Sequence, residues 1–175
     1  VKRVSIKSNI CLAMAAAALG ATSVAAAPIS SPTPPPGRAL LLIPLTLTKI
    51  DDLSFGSVIP SPVSGTVVIN AVTGIRSVAG GVTAVPSDVG QRAYFGGAGS
   101  PNQLVIVTVT APAVLTNVAG DTLTVLALTL DGPPLRSIHP VDRTFFFGVG
   151  GIIQVGADQP EGVYTSDYDV TANYL

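Results

Sequence analysis

The chain is poor in the side chains that carry most protein chemistry. It has one cysteine, one methionine, one histidine and no tryptophan in 175 residues. Only 11% of its residues are charged, against roughly 25% in a typical soluble domain. A single cysteine, Cys11, excludes an internal disulfide. A single histidine, His139, is too few for a histidine-built zinc site. The few Lys and Arg residues are scattered, which leaves nucleic acid out as a partner, since neutralising phosphates takes clustered cations. Aromatics at 5% supply no paired girdles for a small outer-membrane β-barrel. Amphipathic helical periodicity is missing after Ala27.

At the N-terminus, Lys2, Arg3 and Lys7 lead into an uncharged, alanine-rich run that ends on small residues. That is the pattern of an export signal. Residues 1–26 are read as a signal peptide, cut after Ala26, because cutting after Ala27 would leave Pro28 first. A membrane anchor is the alternative, but alanine-dominated hydrophobicity is weak for a span, and no stable membrane span is expected after cleavage. The mature chain would keep six basic residues against ten acidic ones, a net charge of about −4. It would also have no cysteine, although export usually permits disulfides. The expected location is outside the inner membrane: periplasm, cell surface or extracellular space.

Residues 27–38 form a Pro-rich spacer containing "PISSPTPPPGR", which favours an extended tether over a ladder-bonded strand. Residues 39–175 leave room for one domain with a real core. Eighteen Gly and fifteen Pro in the whole chain punctuate Val/Leu/Thr-rich runs, the spacing of an all-β sandwich or barrel. Strands are expected at 39–50, 64–71, 103–110 and 121–130, with shorter ones at 74–78 and 93–97. Residues 143–157 read as two apolar runs around a Gly turn. In 39–50, Leu41, Ile43, Leu45 and Leu47 share one face, and Pro44 marks an edge strand or a break. At the end of the chain, Tyr164, Ser166, Tyr168, Val170, Ala172 and Tyr174 alternate with Thr165, Asp167, Asp169, Thr171 and Asn173. One face is aromatic and aliphatic and the other polar, as in a half-buried strand.

No enzyme is legible in the sequence. Asp167 and Asp169 fall on one strand face about 7 Å apart. Paired carboxylates serve glycoside hydrolysis or calcium, but two carboxylates supply neither a cleft nor six oxygens, and a solvated strand face is the plainer reading. Asp51 and Asp52 read as a turn. "GVGG" (148–151) and "GGAGS" (96–100) lack the Lys-Ser/Thr of a phosphate loop and read as turns. His139 could serve Ser137 or a distant serine as a base; a surface-loop histidine is the simpler account. No catalytic residue, cofactor or metal is assigned.

Three stretches carry a resemblance: 44–60, 91–97 and 149–174. Pro44, Leu45, Leu53, Phe55 and Gly56, then Gln91 and Ala93, then Val149, Gly150, Gly151, Gln159, Gly162, Tyr164, Val170 and Tyr174 follow a recurrent pattern. The pattern resembles a family of exported bacterial proteins classed as a domain of unknown function. The closing Gly-x-Tyr and alternating strand are also similar to spore-coat-U-like proteins and to subunits of archaic chaperone–usher pili. That similarity implies an immunoglobulin-like antiparallel β-sandwich and a homopolymer built by strand addition, with a periplasmic chaperone and usher as partners. Such pilins commonly carry a disulfide, which this mature chain could not form.

The residues add weight of their own. Natural sheets guard their edges with lysine and inward charge, and the mature chain has one lysine, Lys49. Leu41, Ile43, Leu45 and Leu47 are therefore either a strand donated to a neighbour or the domain's own first strand. The functional expectation is a non-enzymatic, exported surface-assembly subunit. The alternatives are a monomeric secreted β-sandwich binding carbohydrate or protein, and a small outer-membrane barrel.

Overall fold

The computed structural model describes Ile29, residues 32–34 and residues 36–175. The chain divides into two units, Val1–Ala39 and Leu40–Leu175. The segment read as a signal peptide, residues 1–26, lies outside the described residues. The described residues of the first unit are exposed and belong to no helix or strand, as a proline-rich stretch dictates.

The second unit is all-β. Its strands are β1 (Thr46–Asp51), β2 (Val58–Ile69), β3 (Arg76–Ala84), β4 (Ala93–Ala98) and β5 (Leu104–Thr110). They continue with β6 (Val114–Thr116), β7 (Thr122–Leu130), β8 (Leu135–Ser137), β9 (Thr144–Val155) and β10 (Asp169–Tyr174). Every pairing is antiparallel. Seven strands form one sheet in the order β1-β4-β9-β2-β3, with β7 also on β9 and β6 on β7. The other three form a second sheet, β10-β5-β8. The strands thus divide between two open sheets facing each other, rather than closing on one barrel.

β9 organises the larger sheet. Val149 pairs with Ala93 of β4 and with Leu130 of β7, so those strands lie on opposite edges of β9. Residues 151–154 pair with both β2 and β7. β4 and β2 therefore follow one another along the same edge. The sequence reading placed a turn at 148–151, and that is overturned: these residues lie inside a continuous twelve-residue strand. The glycines are there for close approach. A Cβ on Gly150 would strike the Ile69 carbonyl and the Ala71 backbone, and one on Gly151 would meet Leu128 Cδ2 at 2.6 Å. The "GGAGS" turn is likewise corrected at its start, since Gly96 and Gly97 lie in β4 and rings of Phe146 and Phe145 occupy their Cβ space.

Period-two alternation fixes the inner face of β9: Phe145, Phe147, Val149, Ile153 and Val155 are buried. Phe147 stacks on Phe95 with centroids 5.2 Å apart. These rings meet Val105 and Val107 of the smaller sheet in one cluster, which is the contact that makes the two sheets a sandwich. A second cluster, around Val67, Val82, Leu123, Ile153 and Val155, comes from the larger sheet alone. Phe55 and Tyr164, from connecting segments, pack against it. The three-stranded sheet is too small to cover both clusters, and a cleft of about 620 Å³ remains beside Phe55, Leu115 and Tyr164.

Candidate functional site

The sequence expected a strand over 39–50; the ladder begins only at Thr46. Two local causes set that start. Pro44 has no N–H to give, and the backbone of Ile43 is already engaged elsewhere. The Ile43 N–H donates to Ser100 Oγ at 2.9 Å. Its carbonyl accepts from the Tyr174 hydroxyl at 2.9 Å, and that hydroxyl in turn accepts the Ser100 N–H at 2.7 Å. A tyrosine facing the core brings a hydroxyl that seeks a partner. Tyr174 was legible as a core-facing residue, but Ser100 was not, because nothing in sequence spacing links it to position 43.

This clamp splits the four candidate residues. Leu45 and Leu47 pack against the central cluster of their own domain. Leu41 and Ile43 do not join them: Leu41 is 87% exposed and Ile43 45%. Leu40 and Leu42 are exposed as well, so four successive apolar side chains precede the domain's first strand in contact with water.

Beside them, two sheet edges are open. Among the described residues β1 pairs only with β4 and β10 only with β5. The larger sheet thus ends at β1 and the smaller at β10, and a cleft of about 630 Å³ runs between them. Leu47, Leu53, Phe95, Tyr168 and Val170 line its floor. Lys49 and Asp52 form an ion pair at its lip. The Tyr168 hydroxyl is buried with no hydrogen-bond partner; burial, and then the charge of Asp52, pushes its pKa up to about 12.

The closing strand is shorter than the alternation over 164–174 suggested: β10 begins at Asp169, and Ser166, expected on the covered face, is exposed in the connection before it; within β10 the faces are those the alternation dictates. Val170, Ala172 and Tyr174 turn towards the core, while Asp169, Thr171 and Asn173 are exposed. Asp167 and Asp169 are both on the wet side. No group of three or more His, Cys, Asp or Glu gathers among the described residues. His139 sits in the β8–β9 connection, where its Nδ1 accepts the Asp142 N–H at 3.1 Å. Asp142 Oδ2 lies at the same distance from that nitrogen. One ring nitrogen cannot accept and donate at once, and the backbone contact makes the histidine a turn cap. Asp51 closes β1 and Asp52 follows it in the connection to β2.

The arrangement offers main-chain hydrogen bonds and an apolar floor to an extended segment. No curated protein and no solved structure matches the chain. One family does, over residues 45–174, a span running from the start of β1 to the end of β10. The chain belongs to the family described as Domain of unknown function (DUF4402).

Proposed function

We propose that this protein is a non-enzymatic, exported structural subunit that assembles with copies of itself by strand addition. The observation that carries this reading is the pairing of two unsatisfied features. Leu40–Ile43 is an apolar segment left in water, and the β1 and β10 edges flank an apolar cleft. An extended segment laid on an open edge satisfies the ladder groups of both partners, and alternate side chains fill the floor. The resemblance to archaic chaperone–usher pilins supports the same reading and would bring a periplasmic chaperone and usher as partners.

The test separates donation from self-folding. Leu40→Asp/Leu41→Asp changes only exposed positions, so it is expected to leave a folded monomer, by circular dichroism, that no longer forms polymers in negative-stain images. Leu45→Asp/Leu47→Asp buries charge in the domain's own core and is expected to unfold it. Wild-type protein that stays monomeric at high concentration, with chaperone and usher supplied, removes the proposal.

A further inference from the structure

Asp167 and Asp169 have no partner in the domain that carries them. Both are exposed, and among the described residues neither carboxylate forms an ion pair or accepts a hydrogen bond. They stand at the rim of the cleft between β1 and β10. Its other charged lining residues, Lys49 and Asp52, are paired with each other. The cleft therefore keeps a net charge of −2, one cation against three carboxylates. At the far end of the same seam Ile43, Ser100 and Tyr174 tie the approach to β1 onto the end of β10, with uncharged side chains. The exposed apolar segment carries the opposite sign. Arg38 is the only charged residue between Ile29 and Thr48. It is exposed, is in no ion pair among the described residues, and stands just ahead of Leu40.

Resting on the strand-addition reading, we propose that the cleft takes the 38–43 segment of a second copy, with Arg38 seated on Asp167 and Asp169. That ion pair sets the direction and register of the added segment. Residues 38–43 span about 17 Å when extended, the same length as β10 from Asp169 to Tyr174. With the guanidinium at the carboxylates, Leu40–Ile43 runs from the rim towards the clamp. Alternate side chains then face the floor of Leu47, Leu53 and Phe95, as in an added strand. The reverse direction puts Arg38 beside Ser100, Ala172 and Tyr174, which offer it no side-chain carboxylate. It also lays apolar side chains beside Asp167 and Asp169 and strips water from both without a counter-charge.

Calcium is the other ligand that paired carboxylates invite, but it takes six or more oxygens. Asp167 and Asp169 belong to no group of three or more metal-ligating side chains among the described residues. A cationic side chain needs only the two. Ion pairs at a wet rim add little affinity. They act on encounter rate and on the choice of orientation, so rate and salt dependence are the quantities to read.

Assembly of the full chain, with chaperone and usher supplied, is followed by light scattering at low and high salt. Arg38→Glu, and separately Asp167→Arg/Asp169→Arg, are each expected to slow assembly about tenfold or more at low salt. Combining all three reversals in one chain is expected to restore most of the wild-type rate. High salt is expected to narrow the gap between wild type and either reversal. Circular dichroism checks each fold. Arg38→Glu lies outside every strand, and Asp167→Asn/Asp169→Asn replaces the aspartate reversal if that variant does not fold. Wild type that fails to assemble removes the strand-addition reading and this inference with it. Wild type that assembles while the folded reversals match its rate overturns this inference alone. A combined variant no faster than either reversal, or a gap that salt leaves unchanged, overturns it too.

Discussion

The Tyr168 hydroxyl is buried and lacks an acceptor, a situation that costs about 1–3 kcal/mol for an unpaired donor. Its raised pKa, about 12, has a consequence for stability with a definite sign. An unfolded tyrosine loses its proton near 10, while the folded protein keeps that proton until about 12. Across that window the folded state binds more protons than the unfolded one, so stability falls as pH rises. Tyr168→Phe is expected to be neutral or up to about 1 kcal/mol stabilising at neutral pH. It is also expected to flatten the alkaline decline, as urea midpoints on either side of the tyrosine range would read. A clear loss of stability at neutral pH would mean that the hydroxyl has a partner after all. The ring's inward direction was legible from alternation; the orphaned hydroxyl was not, because a missing partner has no sequence pattern.

Among the elements, β10 and β9 mark what a pattern can and cannot convey. Alternation in β10 sorted wet from dry positions correctly, since a pleated strand with one covered face permits no other sorting. Val170→Ala is therefore expected to cost on the order of 1–2 kcal/mol, and Asp169→Ala under about 0.5. Equal denaturant midpoints for the two variants would overturn the face assignment. The runs at 103–110 and 121–130 became β5 and β7 within a residue of their expected ends. β9 was misread because glycine is a turn signal only when it stands for backbone freedom. In "GVGG" it stands for nearness: Gly150 lies against the backbone of Ile69 and Ala71. Nearness of remote segments is a tertiary fact. The late start of β1 has the same origin, since the Ser100 and Tyr174 contacts that hold Ile43 are 57 and 131 residues away in sequence.

At the level of the whole molecule, composition and spacing were enough to indicate an all-β sandwich or barrel, because no helical periodicity competed with the strands; the choice of sandwich came from the family resemblance. The partition of strands between sheets was not legible, nor was the uneven cover that leaves the second cluster without an opposite sheet. The same holds for the cleft between β1 and β10. It exists only because the last strand of the smaller sheet and the first strand of the larger one end up side by side. The central place of β9 also governs time. β4 and β2 pair with β9 but not with each other, so earlier strands can form only separate ladders until Thr144–Val155 has left the ribosome. Isolated two-stranded ladders are marginal in water. Folding is therefore deferred until Val155 is available; under the proposed export, that delay keeps the chain extended for passage through a membrane pore. Refolding from urea is expected to be slow, in the millisecond-to-second range or beyond, as for other folds dominated by long-range pairing. A chain ending at Arg143 is expected to show no cooperative unfolding transition. A cooperative transition in that fragment would mean that the sheet nucleates without its central strand.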